Sequence, residues 1–239
     1  MAGTVSTDFI TSFRNCGLKD IALVGGKNAS LGEMIGSLGS KGVSVPGGFA
    51  VNVNACWEFI HVNELKEKIS KQLDRLDRKK YSNLPEIGSA IRSLLGNADL
   101  PLNISECIIA AYQEMEKEYG EACDVAVRSS ATAEDLPGAS FAGQHESFLN
   151  ICGSAGLLKA VHRCFISLYT DRAIKYREDK GFDHMKVALS VGVQKMVRSD
   201  LASSGVMFTL DPETGSRDAV FITGNWGLGE SIVQGIVDP

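Results

Sequence analysis

Apolar residues recur along the chain at two spacings, and the two divide it into helices and strands. Leu31, Met34, Ile35 and Leu38 stand three and four apart, which predicts a helix following "GLKDIALVGGKNAS". Ser40, Gly42 and Pro46-Gly47-Gly48 close it. "FAVNV" alternates instead, with Phe49, Val51 and Val53 on one face of a strand, and a short helix follows from Asn54 to Ile60. Across 63–80, Leu65, Ile69, Leu73 and Leu76 sit at helical spacing among many charges, the pattern of an amphipathic surface helix. Ile87–Leu95 and Ser105–Tyr119 are further helical patterns. "ACDVAVRS" reads as a strand buried on both faces that delivers Arg128 at its end. Residues 155–178 form the longest helical pattern, striped by Leu158, Val161, Phe165 and Leu168. In "KVALSVGVQKMV", Val187, Leu189, Val191 and Val193 share a face and Gln194 points the other way. Two more strands, "GVMFTL" and "DAVFIT", are joined by the turn "DPETGSR".

One stretch fits neither spacing. Residues 127–150 hold an arginine, several hydroxyls, the pair Glu134-Asp135 and the glycines Gly138 and Gly143, with almost nothing to build a core before Phe148 and Leu149. Arginine presents a fixed charge and forked donors that suit phosphate oxygens. Glycine lets main-chain N–H groups approach a ligand where a side chain would block them. An arginine-tipped strand before the stretch and an apolar "FLNI" strand after it predict a hairpin whose turn covers a nucleotide's phosphates. Gln144 and Ser147 add an amide and a hydroxyl. An ion pair from Arg128 to Glu134 or Asp135 explains the arginine equally well.

Three other places could carry chemistry. Lys27, beside two glycines at a helix start, stands where unpaired N–H groups favour an anion, although the Walker spacing is absent. Gln194, Met196 and Val197 lie where a strand runs into a new segment; adjacent backbone groups there could read an adenine, with Met196 and Val197 against the ring. Glu230, in the glycine-rich "GNWGLGE", reads as the anionic cap of a helix beginning at Ser231.

Composition narrows the class. Hydrophobic content of 44% and charged content of 22% are those of a soluble globular protein. A net charge of -5 argues against a general nucleic-acid binder but leaves room for a local anion pocket. The six cysteines form no C-x-x-C pair and read as buried apolar residues in a reducing compartment; the four histidines are scattered. No basic start precedes an apolar run and no apolar stretch approaches a membrane span, so a cytoplasmic protein is expected, without nucleic-acid or membrane partners. The ending at Asp238-Pro239, with no closing element, suggests a piece of a longer protein.

Taken together and in order, "VGGKNASLGEM", "VPGGFAV", "VAVRSSATAEDLPGASFAGQHESFLN", "VQKMV", "SGVMFTLDPETG" and "GNWGLGESIVQG" resemble the N-terminal nucleotide-binding domain of the phosphoenolpyruvate synthase family, from about Phe9 to Pro239. The resemblance implies an α+β, ATP-grasp-like fold. Its first lobe would cover 1–195, and 196–239 would hold the hinge and the start of a second lobe. It implies that Lys27 and Arg128 contact the phosphates of ATP, that Gly143 and Ser147 line a phosphate loop, and that Gln194 lies at the adenine hinge. Ser147 stands where threonine is common, keeping the hydroxyl. The implied cofactors are ATP and Mg2+, with the metal's protein ligands unassigned. The implied reaction turns ATP, pyruvate and water into AMP, phosphoenolpyruvate and phosphate through a histidine on another domain. None of the histidines here is that carrier, so catalytic residues are expected elsewhere in the polypeptide, and this chain alone is expected to be inactive. Rifampicin phosphotransferases share the wording of 127–150 and form a second reading; a stand-alone ATP-binding module is a third.

Overall fold

The structure, a computed structural model, describes residues 9–131 and 147–236. The chain divides into two compact units between Met196 and Val197. The first is built on a sheet of β1 (Ile10–Ser12), β2 (Gly48–Val51), β3 (Val125–Ala131), β4 (Ser147–Ile151) and β5 (Leu189–Lys195). The strands stand in the order β1-β2-β5-β3-β4, and the paired neighbours among the described residues are all antiparallel. Helices α1 (Ile21–Leu38), α2 (Val53–Val62), α3 (Leu65–Leu73), α4 (Leu84–Gly96), α5 (Leu102–Tyr119), α6 (Ser154–Ser167) and α7 (Asp171–Lys180) complete a mixed α and β unit.

Register sorts the sheet into two unlike faces, because residues directly opposite one another point the same way. On one face Phe49 and Val51 meet Val193 and Val191, which meet Val127 and Ser129. This face and α2 to α7 enclose the main core, with Phe59, Ile69, Ile87, Ile91, Ile104 and Phe165 almost wholly buried. Burying each such side chain is worth roughly 1.5–3 kcal/mol. On the other face Gly48 and Ala50 meet Gln194 and Gly192, which meet Ala126 and Arg128. Its residues are small or polar, and α1 packs here through a second cluster of Phe13, Cys16, Val24, Ala29 and Ala50.

The apolar stripe that marks α1 in the sequence is not its buried side. Met34 is exposed and Leu31, Ile35 and Leu38 are half-buried, whereas Asn28, Ala29 and Gly32 are covered. The helix lies too close to the chain beneath it for large side chains: a Cβ on Gly32 would stand 2.2 Å from the Cys16 carbonyl oxygen. Other boundaries move for local reasons. Val53 opens α2 instead of ending a strand, because the Asn52 side chain accepts from the Asn54 N–H at 3.0 Å and caps the helix. The 63–80 helix stops at Leu73, with Leu76 buried in the turn beyond. The 155–178 pattern splits into α6 and α7, since Thr170 caps α7 by accepting from the Ala173 N–H; Leu157, not Leu158, carries the buried stripe. The strand holding Arg128 does not end there: Ser129, Ser130 and Ala131 continue the ladder with β5, which leaves Arg128 in mid-strand.

The second unit is a hairpin of β6 (Ser203–Phe208) and β7 (Phe221–Trp226), followed by α8 (Glu230–Val233). β7 starts at Phe221 and not at Asp218. Glu230 is the first residue of α8, where its carboxylate meets the positive helix end and accepts from the Gln234 amide at 3.0 Å. All six cysteines are free thiols; five are buried as expected, and Cys152 is exposed. Among the described residues no helix is long and apolar enough to cross a membrane.

Candidate functional site

The site begins with a break in α1. Gly25 has φ 75° and ψ 161°, a conformation in which a side chain would be strained. A Cβ there would also meet Ser130, 2.3 Å from its Oγ and 2.5 Å from its carbonyl oxygen. The helix resumes at Gly26 and runs to Leu38, so Lys27 lies in the first turn of a new helical piece. Such a turn points unpaired N–H groups and the positive end of the dipole toward the break. The exposed Lys27 side chain adds a full charge.

The small-residue face of the sheet supplies the second cation. Arg128 lies opposite Gly192 on β5 and opposite Ser147 on β4. Together Lys27, Arg128 and Gln194 line one cleft of about 450 Å³ in the first unit, with Gly26, Asn28 and Gly192 between them. Two residues of the α1 stripe find their place here, as half-buried Leu31 and exposed Met34 join Phe13, Leu18 and Ile21 in an apolar wall. Three of the residues read from sequence are therefore brought together. Gln194 has its amide fixed by donating to the Pro46 carbonyl at 3.1 Å.

The remaining candidates fall differently. Ser147 is exposed beside Arg128 in the ladder but does not line the cleft. Met196 is buried and Val197 exposed just beyond β5, and neither lines it. The Met196 N–H is already engaged, donating to the Asp124 carbonyl at 2.9 Å. Gly143 lies outside the described residues, as do Glu134 and Asp135, the alternative ion-pair partners of Arg128. The expected hairpin is present as the pairing of β3 with β4, and its turn falls among residues not described.

Asn28 and Gly192 were not singled out from sequence. The signal was the complement of the valine pattern: Ser190, Gly192 and Gln194 alternate with Val191 and Val193, a floor too small and polar for a core. None of the cleft's described lining residues is a carboxylate, so the described cleft offers cationic, hydroxyl and amide groups. A larger depression of about 940 Å³ lies elsewhere, along α2 and α3. Glu64, Glu67, Lys66, Lys68 and Lys71 line it together, so it lacks the one-signed charge of an anion site.

Comparison with known proteins bears on this geometry. Residues 21–239 match the family "Pyruvate phosphate dikinase, AMP/ATP-binding domain". The chain is 52% identical over 238 residues to the phosphoenolpyruvate synthase of Synechocystis, covering 98% of this chain and 29% of that protein. It is 47% identical to phosphoenolpyruvate synthase of Escherichia coli, covering 100% of this chain and 30% of that protein. It is 45% identical to a probable phosphoenolpyruvate synthase of Methanocaldococcus jannaschii, covering 98% and 19%. The chain thus spans less than a third of the length of these relatives, over their N-terminal region. It belongs to the pyruvate phosphate dikinase AMP/ATP-binding domain family.

Proposed function

We propose that this chain is the ATP-binding portion of a phosphoenolpyruvate synthase, and that its cleft holds the nucleotide's phosphates. The observation that carries this reading is the convergence of Lys27, Arg128 and Gln194 on one cleft, at a broken helix start, over a sheet face cleared of large side chains. Lys27 and Arg128 would neutralise the triphosphate, with Gly143 and Ser147 closing over it and Gln194, Met196 and Val197 holding the adenine end. A donor to adenine must come from a main-chain group other than the Met196 N–H. With a nucleotide bound, the apolar wall would displace water from its side of the cleft and strengthen the charge interactions there.

In the whole enzyme the β-phosphoryl group of ATP would pass to a histidine on another domain and then to pyruvate, leaving AMP, phosphate and phosphoenolpyruvate. Phosphoryl transfer rests mainly on positioning and charge neutralisation, which is what two fixed cations on rigid elements supply. Magnesium would accompany the triphosphate. On this reading the first unit is one lobe of an ATP-grasp-like clasp working in the cytoplasm, and the second unit begins the other lobe.

The experiment is ATP titration of the whole polypeptide and of its Lys27→Ala and Arg128→Ala variants, with AMP and phosphoenolpyruvate formation from pyruvate as the activity readout. Each variant should weaken ATP binding by about tenfold or more, the order of a lost charge-assisted hydrogen bond. Parent-like binding and turnover in both would refute the reading.

A further inference from the structure

We propose that Asn28 is a positioning residue for Lys27, a role that rests on the reading of the cleft as a phosphate site. Asn28 is 2% exposed, although its neighbour Lys27 faces solvent. Its Nδ2 donates twice, to the Val24 carbonyl at 2.9 Å and to the Ser190 hydroxyl at 3.1 Å. The Ser190 hydroxyl donates onward to the Val51 carbonyl at 3.0 Å. Val24 precedes the break at Gly25, Asn28 follows it, Ser190 lies on β5 and Val51 on β2. One amide therefore joins the two pieces of α1 across their break and pins both to the sheet that carries Arg128.

The neighbouring residues make sense only around that amide. Gly192 lies directly opposite Arg128, and a Cβ on it would stand 2.2 Å from Asn28 Oδ1. The glycine is thus the seat of the Asn28 side chain. Gly25 and Gly26 give the chain freedom at the break, and without a clamp the start of the resumed helix could rock against the sheet. With it, the Lys27 backbone is held at a fixed distance from the Arg128 strand. Asparagine suits this place because both its N–H bonds are needed; aspartate has none to give, and leucine fills the same volume without them.

The test measures the Kd for ATP by calorimetry in the whole polypeptide, for the parent, Asn28→Leu, Ser190→Ala, Lys27→Ala and the two double variants made with Lys27→Ala. Asn28→Leu should weaken ATP by about tenfold, and Ser190→Ala, which keeps the Val24 bond, by roughly threefold. A residue that acts through Lys27 loses its effect once Lys27 is gone, so neither change should weaken ATP further in the Lys27→Ala background. A merely structural role would cost as much there as in the parent, and that result would overturn the proposal. Parent-like affinity in Asn28→Leu would overturn it too. Should Asn28→Leu fail to fold, Ser190→Ala alone and combined with Lys27→Ala decides the matter by the same comparison. Unchanged affinity in Lys27→Ala would overturn this role, since Asn28 would then have nothing to act through, while the cleft reading falls only if Arg128→Ala also binds ATP like the parent.

Discussion

Replacing Gly192 by alanine adds one methyl group at the centre of the sheet, and the structure says where it goes. The new Cβ would stand 2.2 Å from Asn28 Oδ1 and 3.2 Å from its Cγ. The amide cannot simply swing away, since it is buried and makes two hydrogen bonds. Either α1 lifts from the sheet, an overpacking that costs about 1–3 kcal/mol, or Asn28 leaves and forfeits two bonds worth roughly 1 kcal/mol each. Both routes lead to a loss of about 1–3 kcal/mol, roughly 2–12 °C in Tm for a chain of this size. Gly36 offers the matched control. It is exposed on the same helix, and nothing lies within 4 Å of an added Cβ. There alanine should stabilise by about 0.5–1 kcal/mol, from reduced backbone freedom in the unfolded chain. Thermal unfolding of the two variants separates these effects by sign. A Gly192→Ala protein that melts with the parent, or a Gly36→Ala protein that falls with it, would refute the reasoning.

Three further outcomes follow from the same contacts. Phe59 is wholly buried and stacked on Phe165 at 5.6 Å, so Phe59→Ala should cost about 3–5 kcal/mol by urea unfolding; a loss below about 1 kcal/mol would contradict its place in the core. His184 is held below its ordinary pKa of 6.5, first by burial and then by the Arg177 guanidinium, whose Nε donates to its Nδ1 at 2.8 Å, despite the opposing pull of Glu178 on Nε2. The unfolded chain therefore binds the proton more readily; His184's share of stability is full above pH 6.5 and is lost as pH falls from there through its lower folded value, so urea midpoints should drop on the acid side and His184→Gln should flatten the drop. Of the six cysteines only Cys152 is exposed, so a maleimide should modify one thiol rapidly in the native protein and all six in denaturant; rapid modification of several would contradict the packing.

Much of the fold was legible because burial on one side imposes a period. The valine alternation of β5 and the helices around Ile69, Ile87 and Ile108 face the main core, where apolar side chains are required. Where packing instead demanded small residues, the pattern misled. Helix α1 buries Ala29 and Gly32 because the chain beneath is close, and Leu31 and Met34 of its apolar stripe turn to the cleft. Arg128 reads as a strand end because a charge interrupts an apolar run, yet Ser129 to Ala131 stay in the ladder. The cations of the cleft were legible singly, through their glycine neighbours and strand context. Asn28 and Gly192 were not, because their roles depend on a meeting between residues 28, 190 and 192 that no local spacing encodes.

The most direct measurement is a crystal structure of the protein with a non-hydrolysable ATP analogue. The triphosphate should lie at the resumed start of α1, within hydrogen-bonding reach of both Lys27 and Arg128 and above Gly192. A nucleotide seated elsewhere, such as the depression along α2 and α3, with both cations facing water, would contradict the assignment.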